Sequence, residues 1–515
     1  MHTNQARYQR VADEDPLVVP PVDDPCTDDN EKRGLQERHL SMIALAGMIG
    51  TGLFLSSGRA LAHAGPLGCV LAFLLMGTVT ACMAYISAEM SAFKPVEGGF
   101  TRHAAMWLDR SSGIAIGWNF WYSMAVTMPT EISAATTLLS YWKPDINHFI
   151  SIRLDSCAGG NRRKAMTLTD DASAAIALIV CFVIGGLVLD LGGIPNREHI
   201  GFRYWSEPYN LFHEYMVPGF RGRFLGFWSA MISAAFAYGN VQVVAIAGAE
   251  ARNPRQTIPG ALRKTFARVV VFYVASIVVI SLTIPSTDRR LEHPTGTVVH
   301  SPFVLAFSGA GLKAIPSIVT AVVFSSAFSS GNACSFIASR TLHGLAIDGH
   351  APSFFLPLNR HGVPYRAVAA STAWGAIAYA SLHHGAFQAF VMLVSLVTTA
   401  GIVSWVVLCL TYLRFFKAME IQGISREELP YRSPFQPYIT YYALFVNISV
   451  LTFSGWDTIF PEFDLTGFLS NYANCLLYPV LYFGCKLWFK DTPPQLTDID
   501  IEGELELIES EGIRT

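Results

Sequence analysis

Glu131 is the lone charge in "GWNFWYSMAVTMPTEISAATTLLSYW", an apolar stretch over 117–142, and it follows Pro129 by two positions. A carboxylate at the centre of a hydrocarbon layer costs about 2.5–3.5 kcal/mol on insertion scales, so it is retained where it is paired or functional. It could hold a substrate ammonium, carry a proton, or serve as a structural partner for another helix. A second element is "GMIGTGLFL" at 47–55, where Gly50-Thr51-Gly52 interrupts an apolar run. Each glycine costs roughly 1 kcal/mol relative to Ala inside a helix, so a helix that only spans would avoid the pair. An unwound segment at mid-membrane exposes N–H groups that bind a carboxylate and carbonyls that take a cation or ammonium, and glycine lets a ligand approach the backbone closely. The plainer reading is a small-residue packing face of the GxxxG kind. A third element, "FWSAMISAAFAYGNVQVVAIAGAEARNPRQTIPGA", places Tyr238, Gly239, Asn240 and Gln242 in mid-span and ends in Asn253-Pro254-Arg255. Two interrupted helices, one in each half of a chain, point to an inverted-repeat binding site.

The elements that would position these groups are membrane helices. Of 515 residues, 51% are hydrophobic and 15% charged, well short of the roughly 25% charged of a soluble domain. Apolar runs cluster in lengths near the ~20 residues that cross a hydrocarbon core. They fall at 42–61, 66–92, 113–139, 173–189, 224–249, 266–285, 316–339, 367–382, 389–413, 438–458 and 468–487, and all read as helices because an isolated strand cannot satisfy its backbone in lipid. The expected class is therefore an all-α polytopic membrane protein of about eleven helices. With 36 basic and 39 acidic residues there is no net pull toward nucleic acid. The nine cysteines show no metal-ligand spacing, no metal or cofactor motif is present, and no enzyme signature of the phosphate-loop, HExxH or GxSxG kind occurs. Residues 1–38 read as a disordered cytoplasmic tail without a signal-peptide core. The segment 39–490 is the membrane domain, and the acidic "DTPPQLTDIDIEGELELIESEG" within 491–515 reads as a solvated, unstructured cytoplasmic tail, with a sorting role as the alternative.

With these residues in view, the sequence resembles the fungal (yeast-type) amino-acid permeases of the amino acid–polyamine–organocation superfamily. The resemblance is carried by "GMIGTGLFLSSGRALAHAGPLG", "PVEGGFTRHAAMWLDRSSGIAIGWNFWYSMAVTMPTEISAA", "AEARNPRQTIPGA", "GNACSFIASRTLHGLAIDGHAP", "RHGVPYRAV", "ELPYRSPFQPY" and "FDLTGFLSNY", from about 36 to 490. It implies a five-plus-five inverted-repeat fold plus two helices and proton-driven amino-acid uptake at the plasma membrane, with the amino acid, the proton and the bilayer as partners. Trafficking or ubiquitin machinery would be the expected protein partner of the tails. On this resemblance Gly50, Thr51 and Gly52 receive the substrate α-carboxylate. The later break takes the α-amino group through backbone carbonyls, while its side chains, Phe236, Tyr238, Asn240 and Gln242 around Gly239, help choose the substrate. Glu131 becomes the candidate for proton coupling. Asn332, set between small residues, could equally bond a neighbouring helix.

Three features depart from the family pattern. The later break reads Asn240-Val241-Gln242 where many members carry Gly-Thr-Glu. The fourth core helix is missing: residues 142–172 form an atypical linker whose "INHFISIRLDSCAGGNRRKAMTLTDDAS" holds Arg153, Arg162, Arg163 and Lys164 and does not read as a span. Ala175 stands where permeases often hold a lysine that stands in for a coupling cation. The twelve Lys/Arg of 252–268, 340–366 and 414–432 should all be cytoplasmic, together with 94–110, yet eleven spans break that parity between 139 and 224. The helices from 224 onward are thus expected to be inverted or displaced, and the chain as written to be retained inside the cell or to transport poorly. A non-transporting nutrient sensor and an inactive splice or gene-model variant are the rival functions, with a membrane enzyme a distant third.

Overall fold

The computed structural model describes residues 51–96, 98–139, 142, 165–193, 199–239, 241, 254–291, 301–309, 314–359, 363–380, 386–460 and 462–510. The described elements are helices, with no strand among them. We number them α1 Ser57–Phe93, α2 Phe100–Trp107, α3 Arg110–Leu139, α4 Ala165–Asp190, α5 Phe220–Ala237, α6 Pro254–Thr283, α7 Pro302–Gly309, α8 Ala314–Ile347, α9 Tyr365–Ala373, α10 Ala386–Gln422, α11 Tyr438–Thr452, α12 Leu465–Phe489 and α13 Glu502–Ser510. Each of the eleven expected spans overlaps a described helix. Among the described residues, four helical stretches are long and apolar enough to cross a membrane by length and composition: Gly52–Phe93, Ala314–Ile347, Phe387–Gln422 and Tyr438–Thr458.

Local chemistry sets where the elements begin and turn. The π-helical turn Gly52–Ser56 leads into α1, which turns at Gly65, where φ is 76° and Pro66 follows. Only glycine takes that backbone conformation freely. A Cβ on Gly65 would also lie 2.7 Å from the His213 nitrogen, so the crossing segment 211–213 needs a bare backbone there. Gly52 sits beside Ala237 while Gly77 sits beside the Tyr238 hydroxyl. The two arms flanking Gly65 are therefore level with one another and run antiparallel. At α12, the Asp464 side chain accepts from the N–H groups of Thr466 (3.0 Å) and Gly467 (3.1 Å), an N-cap that satisfies donors the first turn leaves open.

Ion pairs gather the charge-rich ends at one face. Arg102 pairs with Asp348 at 2.8 Å, Lys486 with Asp109 at 2.7 Å, and Arg426 with Glu89 at 2.9 Å. By its lysine and arginine excess, this is the face expected to be cytoplasmic. At the opposite face Leu67 N–H donates to the Leu211 carbonyl at 3.1 Å, Ile200 N–H to that of Asp190 at 3.0 Å, and the Trp205 indole to that of Ser281 at 3.2 Å. Helix α3 leaves the basic face and α4 ends at the opposite one, so the two run in the same sense. That corrects the expected inversion: α6, α8, α10 and α12 all bring their basic ends to the face of 94–109. Most of the linker 142–172, and Arg153, Arg162, Arg163 and Lys164 with it, lies outside the described residues; Ala175 lies on the α4 backbone.

The acidic tail also differs from expectation. Residues 491–510 pack onto the basic face, end in α13, and bury Ile499, Ile501 and Ile508. Burial of branched apolar side chains outweighs the solvating tendency of the neighbouring acids, since each fully buried aliphatic side chain contributes about 1.5–3 kcal/mol.

Glu89, fully buried at the basic end of α1, anchors the "ELPYRSPFQPY" segment. Its carboxylate accepts from Arg426 (2.9 Å), the Tyr412 hydroxyl (2.9 Å), Ser433 N–H (2.8 Å) and the Ser433 hydroxyl. Glu89→Ala leaves Arg426 without its counter-charge and should destabilise the protein by about 3–5 kcal/mol. Melting of detergent-extracted protein checks this, with Glu89→Gln falling between; a melting curve matching the parent would mean that the loop is held elsewhere.

Candidate functional site

Helix α3 carries Glu131 into the interior two residues beyond Pro129, and the side chain is 3% exposed. Its Oε1 accepts from Thr51 N–H at 3.4 Å and from the Ser330 hydroxyl of α8 at 3.0 Å. Its Oε2 is buried without a hydrogen-bond partner among the described residues, as is the Thr51 hydroxyl. Helix α8 packs against α3 here: a Cβ on Gly331 would lie 3.6 Å from that of Glu131, an ordinary contact distance. Thr51 precedes the π turn Gly52–Ser56, a geometry concentrated at functional positions. The Thr51 N–H, at the start of the described helix, is thus held by a side-chain carboxylate.

The second break begins at Tyr238, where α5 ends with φ −85° and ψ 2°, and Gly239 N–H closes a turn onto the Phe236 carbonyl at 3.1 Å. The breaks meet directly. A Cβ on Gly52 would lie 2.8 Å from the Ala237 Cα and 3.3 Å from Phe236 Cδ1. The cavity expected between the breaks is therefore absent from that contact, because an unsubstituted Gly52 lets the two backbones touch. Beside Glu131, between α3, α8 and α9, lies a volume of about 20 Å³ lined by Met128, Glu131, Ile132, Asn332, Ser335 and Thr372 among others, room for about one water.

The structure brings Thr51, Gly52, Glu131 and Phe236 together and sets two expected residues apart. Tyr238 is buried with its hydroxyl beside Gly77 and its ring against Phe73 and Tyr273, away from the volume beside Glu131. The turn at the break rotates it toward α1 and α6. Asn332 borders the small cavity, but its amide donates to the Phe328 carbonyl of its own helix at 2.9 Å. Gly50, Asn240 and Gln242 lie outside the described residues. Sequence reading passed over Ser330, whose only signal is its place beside Gly331-Asn332, and Phe303 of α7, whose ring meets Phe54 at 4.8 Å and Phe182 at 4.0 Å.

A carboxylate seated on a helix break inside an apolar bundle is a transporter's arrangement, and residues 39–498 match the amino acid permease family. The chain belongs to the amino acid permease family. It is 34% identical over 496 residues to the lysine-specific permease of Saccharomyces cerevisiae, which covers 94% of this chain and 80% of that one. To the proline-specific permease of Emericella nidulans it is 34% identical over 486 residues, 91% and 88% of the two chains. The dicarboxylic amino acid permease of S. cerevisiae is 31% identical over 505 residues, 95% and 82%. This permease is accordingly a multi-pass membrane protein of amino-acid transport and not an enzyme.

Gly52→Ala tests the contact between the breaks. The added methyl group meets backbone rather than a movable side chain, an overpacking cost of about 1–3 kcal/mol applied where the two broken helices touch. Surface-normalised uptake should fall at least severalfold while Gly484→Ala, where a Cβ meets nothing within 4 Å, stays at the parent level.

Proposed function

We propose that this permease takes up an amino acid together with a proton at the plasma membrane, and that Glu131 couples the two. The observation that supports this reading is the hydrogen bond from Thr51 N–H to the Glu131 carboxylate. In the resembled transport scheme that N–H belongs to the α-carboxylate of the substrate. Two carboxylates cannot share one donor in a low-dielectric site without strong repulsion, so the substrate binds as Glu131 takes up a proton and releases the donor. No cation faces Glu131 among the described residues; the other titratable groups facing it are Cys334 of α8 and Tyr273 of α6. Proton and substrate therefore arrive together, and the proton leaves when the substrate does.

The substrate's ammonium would be taken by carbonyls at the break following Ala237, within a five-plus-five inverted repeat in which the turn before α1 and the end of α5 correspond. Side-chain selection would fall to Phe236, Asn332 and, in the second break, Asn240 and Gln242. The relatives named for lysine, proline and dicarboxylic amino acids differ in substrate, so a shared scaffold serves side chains of different charge and the pocket walls decide.

The test is uptake of a panel of labelled amino acids in permease-deficient cells by a fluorescently tagged chain. Glu131→Gln retains volume and hydrogen bonding but carries no titratable charge. It should bind substrate without the parent's dependence on external pH and lose about tenfold or more in uphill accumulation, while exchange of internal for external substrate persists. Equal accumulation by the Gln variant would make Glu131 structural. Internal retention of the tagged parent with no uptake of any amino acid would favour the non-transporting reading.

A further inference from the structure

The packed C-terminal segment ties together helix ends on the basic face. Asp491 accepts from Ser111 N–H (2.8 Å) and the Ser111 hydroxyl (2.7 Å) in the first turn of α3, the helix that bears Glu131. The Gln422 amide, at the end of α10, donates to the carbonyls of Leu496 (2.8 Å) and Ile499 (2.9 Å). Asp500 accepts from Gly503 N–H at 3.0 Å as α13 begins. Glu504, 7% exposed, then lies between Arg255 (2.9 Å) and Lys94 (3.1 Å). Arg255 stands in the first turn of α6 and also donates to the Phe93 carbonyl at the end of α1. The segment thus bridges α3 and α10 on one side to α1 and α6 on the other.

That placement has a mechanical meaning for a transporter. The turn before α1 meets the end of α5, and Glu131 is carried by α3; release toward the cytoplasm in an alternating-access carrier requires two helix groups to part at the basic face. A strap seated on both resists the parting. We propose that the pocket formed by Lys94, Arg255 and the end of α1 is a docking site for the chain's own acidic segment, and that its occupancy holds the cytoplasmic side shut, so undocking of residues 491–510 gates substrate release.

Three features suit this occupant. The pocket presents two cations, and α13 supplies a buried anion between them. Ile499, Ile501 and Ile508 give the segment an apolar underside, while Glu502, Glu506 and Glu509 keep its other face in water. The segment is joined to α12 by a few residues, so its local concentration at the pocket is high without tight binding. Removing one partner of a buried ion pair is strongly destabilising, and here a single substitution takes away the carboxylate that Arg255 and the part-exposed Lys94 share.

This inference rests on the transport reading above, and the experiment separates the two. Limited proteolysis of inside-out vesicles without substrate reports docking alone, and efflux of preloaded labelled amino acid from proteoliposomes reports release. Glu504→Arg should expose the tail, speeding its cleavage about tenfold, and raise efflux severalfold. The swap Arg255→Glu with Glu504→Arg should return both toward the parent. Glu504→Gln is the measured variant if Glu504→Arg does not fold, with an intermediate shift in both readouts expected. A released tail with unchanged efflux would overturn the gating, and a tail cut at the parent's rate in the folded variants would overturn the docking. Absence of any transport by parent and variants, with docking still lost in Glu504→Arg, would instead refute the transport reading.

Discussion

A backbone N–H at the start of a helix inside a membrane must find an acceptor, because hydrocarbon offers none. In this permease the acceptor for Thr51 is Glu131, and much of the surrounding packing follows from that requirement. For the carboxylate to reach Thr51, α3 must lie against the start of α1, and α8 must come near enough for Ser330 to donate to the same oxygen. Gly52, next in sequence, then accepts the end of α5 in direct backbone contact. The second carboxylate oxygen is left without a partner among the described residues. A buried, half-satisfied carboxylate is a poor structural device and a good exchangeable one.

What the sequence made legible follows the range of the interactions involved. Apolar runs and their bounding charges depend on solvent and length alone, and all eleven overlap described helices. Glu131 stood out because an intramembrane charge is costly whatever surrounds it; which group it meets was open, since Thr51 lies eighty positions away and only the fold brings it there. Tyr238 illustrates the opposite case. Its type and mid-span position pointed to a lining residue, but side-chain direction at a break depends on the local turn, and here the hydroxyl faces Gly77. In the tail, acidic composition outweighed a spaced set of isoleucines in the reading, although Ile499, Ile501 and Ile508 were the signal for docking. The parity conflict arose because loop charges fixed the orientation of the later helices, while the direction of α4 had no charge marker of its own.

The cytoplasmic lysines and arginines do a second job beyond orientation. Glu89, Asp109 and Glu504 are each nearly buried, and each is matched by a cation from a different segment: Arg426, Lys486, and Arg255 with Lys94. At Asp109, burial opposes ionisation, but the Lys486 ammonium, Ser112 and the Tyr482 hydroxyl outweigh it and hold the carboxyl below the usual carboxylate range. Residues that the translocation machinery would read as positive-inside therefore also fasten loops and tail to the helix ends, which concentrates specific pairing on one side of the protein.

The two sides are consequently closed by different forces. Away from the basic face, closure rests on the Phe54, Phe303 and Phe182 rings, the stacking of Tyr215 on His63 at 4.0 Å, and the His63 to Ser229 hydrogen bond at 2.8 Å. Its charge pairs among the described residues, Arg59 with Asp457 at 4.0 Å, Arg223 with Glu214 at 3.0 Å and Arg290 with Asp288, are partly exposed, and such pairs contribute little to stability. Parting aromatic rings in favour of water or a ligand exposes area gradually, whereas separating Glu504 from Arg255 breaks a buried pair at once, at about 3–5 kcal/mol. The outer side therefore opens at the lower cost when the site is empty, and the inner side opens when something compensates its charges. That asymmetry fits the proposed uptake, in which an empty carrier would face the medium and the cytoplasmic end would stay sealed until the tail is displaced.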